Sequence, residues 1–240
     1  MKAMVLAAGF GTRLGALTKS TPKCLVEAGG RTLLEHTLLR LRAADVSECV
    51  VNLHHLADRV ATFLDTHPIE GLTVHRSFEP TILETGGGLK AARSYFSPET
   101  EPFFVHNADV YTTLSLSHLA AVHSADRADA TLLVTDKPSS RGLLIDGNGA
   151  LCGWVSKDGR NVVRDLPDLR LVNFSGVQLT SSALFSWMEE LGEHFSIIEG
   201  YLVGLARGAV IKTVRLPAGE RWFDVGTPER LDELRRFLDR

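Results

Sequence analysis

The sequence predicts an α/β fold: one mostly parallel sheet with helices on both faces and a small β-rich elaboration in the second half of the chain. Three observations carry this. Short apolar runs alternate with stretches of helical period through the first 140 residues, as βαβ units require. Two polar motifs, one rich in glycine and one ending in an acid, directly follow apolar runs. From about Gly142 the alternation gives way to hairpin signals.

Ala3–Leu6 is a short apolar run that stops at Gly9, the pattern of a buried parallel strand. Leu33–Ala44 reads as a helix with Leu34, Leu38 and Leu41 on one stripe and Arg40 and Arg42 outside it. Cys49–Leu53 is strand-like, Leu56–Leu64 helix-like and Leu72–His75 strand-like. Leu89–Tyr95 reads as a short helix behind three glycines. Phe103–His106 is a buried strand ending at Asn107-Ala108-Asp109, followed by a helix over Leu116–Ala125 and a strand over Ala130–Thr135. Gly142–Ile145 and Leu151–Val155 flank Asp146-Gly147-Asn148-Gly149, a hairpin turn. Leu169–Leu179 is a longer strand, Ile197–Ala206 an amphipathic helix stopped by Gly208, and Ile211–Leu216 a strand. Thr227-Pro228-Glu229 opens the last helix with a capping hydroxyl, a first-turn proline and an acid at the positive dipole end. No internal repeat or linker interrupts the chain. Residues 1–240 read as a single domain, with 1–140 as its first half and 141–240 as an elaboration bearing the other side of the cleft.

Composition narrows the function classes. With 44% hydrophobic and 23% charged residues, 240 residues can bury a sizeable core. A net charge of −3 argues against a nucleic-acid binder. Cys24, Cys49 and Cys152 are widely spaced, with no CxxC pair, so neither a disulfide scaffold nor a thiolate zinc site is expected. No stretch approaches the roughly 18 apolar residues of a membrane span, and the N-terminal apolar run is too short for a signal segment. The expected location is the cytoplasm.

The strongest motif is Leu6-Ala7-Ala8-Gly9-Phe10-Gly11-Thr12-Arg13-Leu14, continuing to Thr21-Pro22-Lys23-Cys24-Leu25. A strand delivers a loop whose glycines let backbone amides approach a polyphosphate. Arg13 suits bidentate contact with phosphate oxygens, and Lys23 offers a compact charge. Gly9-Phe10-Gly11 alone reads equally as a tight βα turn. No GK[ST] closes the loop, so it is not a P-loop. Leu14 stands where a dinucleotide fingerprint needs its third glycine. A second motif, Asn107-Ala108-Asp109, puts a carboxylate at a strand end, either a plain polar cap or a ligand for a hard cation such as Mg²⁺.

The block Leu6–Leu25, LAAGxGTRL followed by PKxL, resembles the signature of the sugar-phosphate nucleotidyltransferase family. The resemblance implies a Rossmann-like, GT-A-like nucleotidyltransferase domain. It implies a Mg²⁺-dependent reaction that joins a nucleoside triphosphate to a sugar 1-phosphate and releases pyrophosphate. Asp109 inherits the family's first metal ligand. Asp224, in Trp222-Phe223-Asp224-Val225-Gly226-Thr227-Pro228, matches the late W-x-D-[VI]-G-T-P element and inherits the second. Leu6, Ala7, Ala8, Gly9, Gly11, Thr12 and Asn107 are expected around the nucleotide, and Arg13 and Lys23 on its phosphates.

Leu83-Glu84-Thr85-Gly86-Gly87-Gly88 takes the place of the family's base-contacting element, so Glu84, Thr85, Gly86 and Gly87 are expected at the base. From composition alone, the three glycines read equally as a flexible loop before a helix. This version is most similar to that of the N-acetylmuramate α-1-phosphate uridylyltransferases, which favours UTP and a role in peptidoglycan recycling. Mannose- and heptose-1-phosphate guanylyltransferases are the competing subgroups. The sequence stops just after its last helix, so no C-terminal β-helix and a monomer or homodimer are expected.

Asn173 and Gly176 fall on the strand expected to close over the sugar, where Gly176 would let the sugar approach the backbone or be a plain bulge glycine. Glu199 reads equally as an acceptor of sugar hydroxyls and as a first-turn acid. The E-x-K-P lysine that binds the sugar phosphate in many relatives is missing, and Lys157 is only a weak substitute. His54-His55 are adjacent residues that point apart and do not form a metal pair. A non-catalytic sugar-nucleotide sensor is the alternative of another class; Arg13, Lys23, Asp109 and Asp224, all present, argue against it.

Overall fold

A computed structural model describes residues 1–96, 102–137 and 139–239. Along the chain run β1 (Lys2–Leu6), β2 (Glu27–Ala28), β3 (Arg31–Thr32), α1 (Leu33–Ala43), β4 (Glu48–Leu53), α2 (Ala57–Thr66), β5 (Thr73–Phe78) and α3 (Glu84–Ala91). Then come β6 (Phe103–Asn107), β7 (Val110–Thr112), α4 (Leu116–Asp126), β8 (Ala130–Thr135), β9 (Gly142–Ile145), β10 (Leu151–Ser156), β11 (Gly159–Val162) and β12 (Arg170–Thr180). The chain closes with α5 (Ala183–Trp187), α6 (Ile197–Ala206), β13 (Ile211–Arg215), β14 (Trp222–Asp224) and α7 (Pro228–Leu238).

The central sheet is the α/β sheet that the sequence predicts. Strands β5, β4, β1 and β6 lie side by side and parallel. β12 then enters antiparallel to both β6 and β8, so β8 runs in the same direction as β6, and β13 adds parallel to β8. The loops that follow β1, β4, β6, β8 and β13 therefore open on one edge, where ligands of such sheets bind. The start of β12 also pairs with β9, which leads into the predicted hairpin and on to β10 and β11. Gly149, at φ 73°, supplies the left-handed position of that turn.

Residue alternation explains why these runs form strands. Ala3 and Val5 face a core with Leu34, Leu38, Leu41 and Val60, under α1, α2 and α4. Met4, between them, faces a second core with Leu89, Phe103 and Tyr201, under α3, α5 and α6. A third cluster of Leu14, Val26, Leu33, Val225, Leu231 and Leu234 fastens α7 to the glycine-rich loop and the β2–β3 hairpin. Thr227 caps α7 as its sequence predicts, its side chain accepting from the Arg230 amide at 3.4 Å.

Two expectations need correction. Gly86, Gly87 and Gly88 lie inside α3, which begins at Glu84, not in a loop before a helix at Leu89. A helix this rich in glycine is weak by propensity. It is held because the Phe195 carbonyl accepts from the amides of Gly86 and Gly87, at 2.9 and 3.2 Å. Helix α6 is not amphipathic. Ile197, Ile198, Gly200, Tyr201, Leu202, Gly204 and Leu205 are all buried, because α3 and α5 pack against it. Short β7 and β14 escaped the sequence reading, since three residues carry no readable period.

Candidate active site

A cleft of about 630 Å³ opens at the carboxyl ends of β1, β4 and β6. Leu6, Ala7, Ala8 and Gly9 line it beside Asn107, Ala108 and Asp109, the ends of two paired strands, together with Lys23, Cys24, Glu84 and Thr85. The two strongest motifs thus converge, as strand order requires. Nothing lies within 4 Å of where a Cβ on Gly9 would stand, so the loop backbone faces open space. Gly11, at φ 66°, starts the 3-10 turn Thr12–Thr18 in a conformation that favours glycine.

The acids are brought together by register. β14 pairs antiparallel with β7, setting Asp224 opposite Val110, and the Val225 amide donates to the Asp109 carbonyl at 2.8 Å. Asp109 also forms an ion pair with Lys23, whose side chain is 11% exposed. Burial first, and the Asp109 charge second, raise the pKa of Asp224, against the lowering pull of Lys23, Arg13 and Arg230. Arg13 reaches across to the same turn: a Cβ on Gly226 would stand 2.8 Å from its guanidinium.

A carboxylate whose proton affinity is raised by burial and by a neighbouring acid, with Lys23 and Arg13 beside it, suits a hard divalent cation. Among the described residues no group of three or more His, Cys, Asp or Glu side chains forms a metal cluster. A pair of acids leaves other positions to waters and substrate oxygens, the habit of Mg²⁺.

Sequence reasoning missed the floor. Asn52 is 2% and Glu79 5% exposed, and both line the cleft. Asn52 accepts from the Ala7 amide at 2.7 Å through its Oδ1 and donates to Glu79 Oε1 at 2.6 Å; Glu79 Oε2 accepts from the Leu83 amide at 3.1 Å. This chain ties the glycine loop to the start of α3. The available signal was Asn52, a polar residue in the otherwise apolar run Cys49–Leu53. Cys24 also lines the cleft, but burial pushes its thiol up to about 12, so it is inert as a nucleophile.

Other expected site residues lie elsewhere. Gly86 and Gly87 are buried against the protein: a Cβ on Gly86 would meet the Phe195 ring at 2.4 Å, and one on Gly87 the Glu193 carbonyl oxygen at 1.9 Å. They are not among the residues that line the cleft, and their amides donate to the Phe195 carbonyl. Glu199 is exposed and accepts from the Ser196 amide at 2.9 Å in a capping box, as the first-turn reading expects. Gly176, in a bulge of β12 at φ 79°, abuts Asn107. Asn173 pairs with Thr135 at the end of β8, outside the enclosed cleft. Lys157 sits in the β10–β11 turn, at the outer edge of the sheet. His54 and His55 flank Phe10 and bind the Glu79 and Thr18 carbonyls separately. No helix among the described residues is long and apolar enough to cross a membrane.

Several known proteins are similar to this chain in sequence or fold. The model of the MobA-like NTP transferase domain family matches residues 3–171. N-acetylmuramate alpha-1-phosphate uridylyltransferase of Caulobacter vibrioides is 35% identical over 74% of this chain and 74% of its own length. Mannose-1-phosphate guanyltransferase of Emericella nidulans is 36% identical over 60% of this chain but only 41% of its own, so the match spans less than half of that protein. UDP-glucose pyrophosphorylase from Acinetobacter baumanii superposes with a TM-score of 0.79 over 98% of this chain and 92% of its own; at 17% identity this is a likeness of fold. The chain belongs to the MobA-like NTP transferase domain family, among relatives named as sugar-phosphate uridylyl- and guanylyltransferases.

Proposed function

We propose that the protein transfers a nucleotidyl group from a nucleoside triphosphate to a sugar 1-phosphate, with UTP and N-acetylmuramate α-1-phosphate as the favoured pair. One observation carries the reaction type: the β7–β14 register that sets Asp224 beside Asp109, with Lys23 on Asp109, at the cleft that the glycine loop also lines. The substrate pair is supported by the uridylyltransferase relative, whose match extends over 74% of both chains.

In this reading the triphosphate lies along Ala8–Thr12, with its base toward Glu84 and Thr85. Arg13 and Lys23 neutralise its phosphates, Lys23 leaving Asp109 to do so. Asp109 and Asp224 would hold Mg²⁺, which supplies charge neutralisation at the α-phosphate when bound. An oxygen of the sugar phosphate attacks the α-phosphorus in line; the bond to the β,γ-diphosphate breaks and pyrophosphate leaves. The attacking phosphate is already anionic near neutral pH and needs no general base. Catalysis is then positioning and charge neutralisation. The proposal takes 1–240 as one domain, with the donor on 1–140 and the acceptor on 141–240. It extends to a cytoplasmic enzyme that works as a monomer or homodimer.

A specific observation favours a second reading, guanylyl transfer to mannose 1-phosphate. The buried Glu79 carboxylate lines the cleft and is an acceptor only. Guanine presents adjacent N1–H and N2–H donors, uracil a single N3–H. The test crosses UTP, GTP, CTP and ATP with N-acetylmuramate, mannose and heptose 1-phosphates in Mg²⁺ and reads pyrophosphate. Release confined to UTP with N-acetylmuramate α-1-phosphate is the expected result. Release with GTP and mannose or heptose phosphate moves the substrate to the second reading. Silence with every pair, while a triphosphate still binds, replaces the enzyme with a sugar-nucleotide sensor.

A further inference from the structure

The acceptor phosphate has no assigned cation, since the lysine of an E-x-K-P element is missing and Lys157 stands at the outer hairpin. The strand directions point to a replacement. β8 runs parallel to β6, so the chain leaving Thr135 emerges on the same edge as Asp109. Lys137 follows Thr135 by two residues and is exposed. Its Nζ lies 5.0 Å from the centre of the Trp222 ring. Trp222 and Asp224 are alternate residues of β14 and share a face, whereas Phe223 points the other way, towards Tyr111 and Phe237. Lys137 therefore stands over the face that carries Asp224 and feels the charges of Arg230, Glu233 and Asp224, in that order.

The ring is itself anchored, its Nε1 donating to the Ser175 carbonyl at 2.9 Å. Ser175 precedes Gly176, which abuts Asn107 in the cleft wall. Asn173, paired with Thr135, borders the same edge. Lys137, Trp222, Asp224, Gly176 and Asn173 thus bound the side of the acids that faces away from the glycine loop. That is where an acceptor must sit if the triphosphate lies over Gly9.

We infer that Lys137, held over Trp222, binds the anionic phosphate of the acceptor sugar and sets it in line with the α-phosphorus. The inference rests on the nucleotidyl-transfer reading above. A lysine with a flexible stem braced on an aromatic face keeps its charge directed while remaining solvated.

The test is steady-state kinetics of Lys137→Met and Lys137→Arg, with the triphosphate and the sugar phosphate varied separately. Met keeps an apolar stem over Trp222 and removes only the charge. The expected result for Lys137→Met is a rise in KM for the sugar phosphate of about ten- to a hundredfold, the usual effect of losing one charge-assisted hydrogen bond. The KM for the triphosphate and the Tm stay unchanged, and Lys137→Arg recovers most of the loss. Sugar phosphates with and without a carboxylate on the sugar should be affected alike. A loss confined to the carboxylate-bearing sugar would assign Lys137 to that group and overturn the phosphate contact. An unchanged KM in Lys137→Met, with an active wild type, overturns the inference alone. A wild type that releases no pyrophosphate with any pair removes the function reading, and the inference with it.

Discussion

Two glycine runs flank the same cleft and behave in opposite ways. At Gly9 the backbone is turned outward, and a Cβ there would meet nothing within 4 Å, whereas one on Gly11 would stand 2.9 Å from the Lys23 Cβ. In Gly86-Gly87-Gly88 it is turned inward, and a Cβ at each position would stand under 3 Å from Phe195, Glu193 or Glu79. The first run keeps space free for a ligand. The second lets a helix pack where no side chain fits, with its leading amides satisfied by the Phe195 carbonyl. Composition cannot distinguish the two cases, because glycine removes a side chain without saying what fills the vacated volume.

Substitution on the cleft side should cost turnover and leave the fold alone. Asp109→Ala gives the largest effect. The residue is 26% exposed at its side chain and faces Lys23, not the core. Removing one charge-stabilising group from a polar transition state typically costs about 10²- to 10³-fold in kcat. The expected outcome is a loss of that order in Mg²⁺-supported pyrophosphate release, with an unchanged Tm. Near-normal turnover would remove Asp109 from the chemistry.

On the packing side, Gly87→Ala should lower stability and leave catalysis alone. Alanine recovers about 1 kcal/mol of helix propensity. A methyl placed 1.9 Å from a backbone carbonyl oxygen must displace the chain at Glu193. Overpacking of this kind typically costs about 1–3 kcal/mol or more, and a backbone obstacle puts it at the upper end, so the clash outweighs the propensity. With Tm moving roughly 2–4 °C per kcal/mol in a protein of this size, a fall of several degrees is expected in a thermal melt, and kcat of the folded fraction should be close to normal. An undiminished Tm with a raised KM for the triphosphate would return Gly87 to the base site.

Gly9→Ala tests the outward run. The methyl meets no protein atom, so Tm should hold. It would stand between the loop backbone and a bound polyphosphate, and about a tenfold rise in KM for the triphosphate is expected, the equivalent of one weakened hydrogen bond. Unaltered kinetics would make Gly9 a mere turn residue.

The contrast also marks how much the sequence disclosed. β1, β4, β6 and β8 were readable because strands buried on both faces must be apolar runs, and the convergence of Leu6–Lys23 with Asn107–Asp109 followed from parallel strand order alone. Asp224 was readable only through its resemblance to a known element. The register that delivers it depends on β7 and β14, too short to show a period. Asn52 and Glu79 were missed because a buried polar pair announces itself only once its hydrogen bonds are seen. Glu199 was an even choice, and its capping role shows only in the contact with Ser196.

Thr85 sits at the boundary between the two regions and gives the smallest effect. It lines the cleft, yet its Oγ1 accepts from the Ile197 amide at 2.9 Å, satisfying one of the orphan donors at the start of α6. Thr85→Val keeps the shape and removes the acceptor, leaving a half-buried amide unpaired at a cost of about 1 kcal/mol. A fall in Tm of roughly 2–4 °C is expected on the scale for this chain length, with KM for each triphosphate unchanged. A selective rise in KM for one base, at constant Tm, would instead make the Thr85 hydroxyl part of base recognition and move the border between the regions one residue into α3.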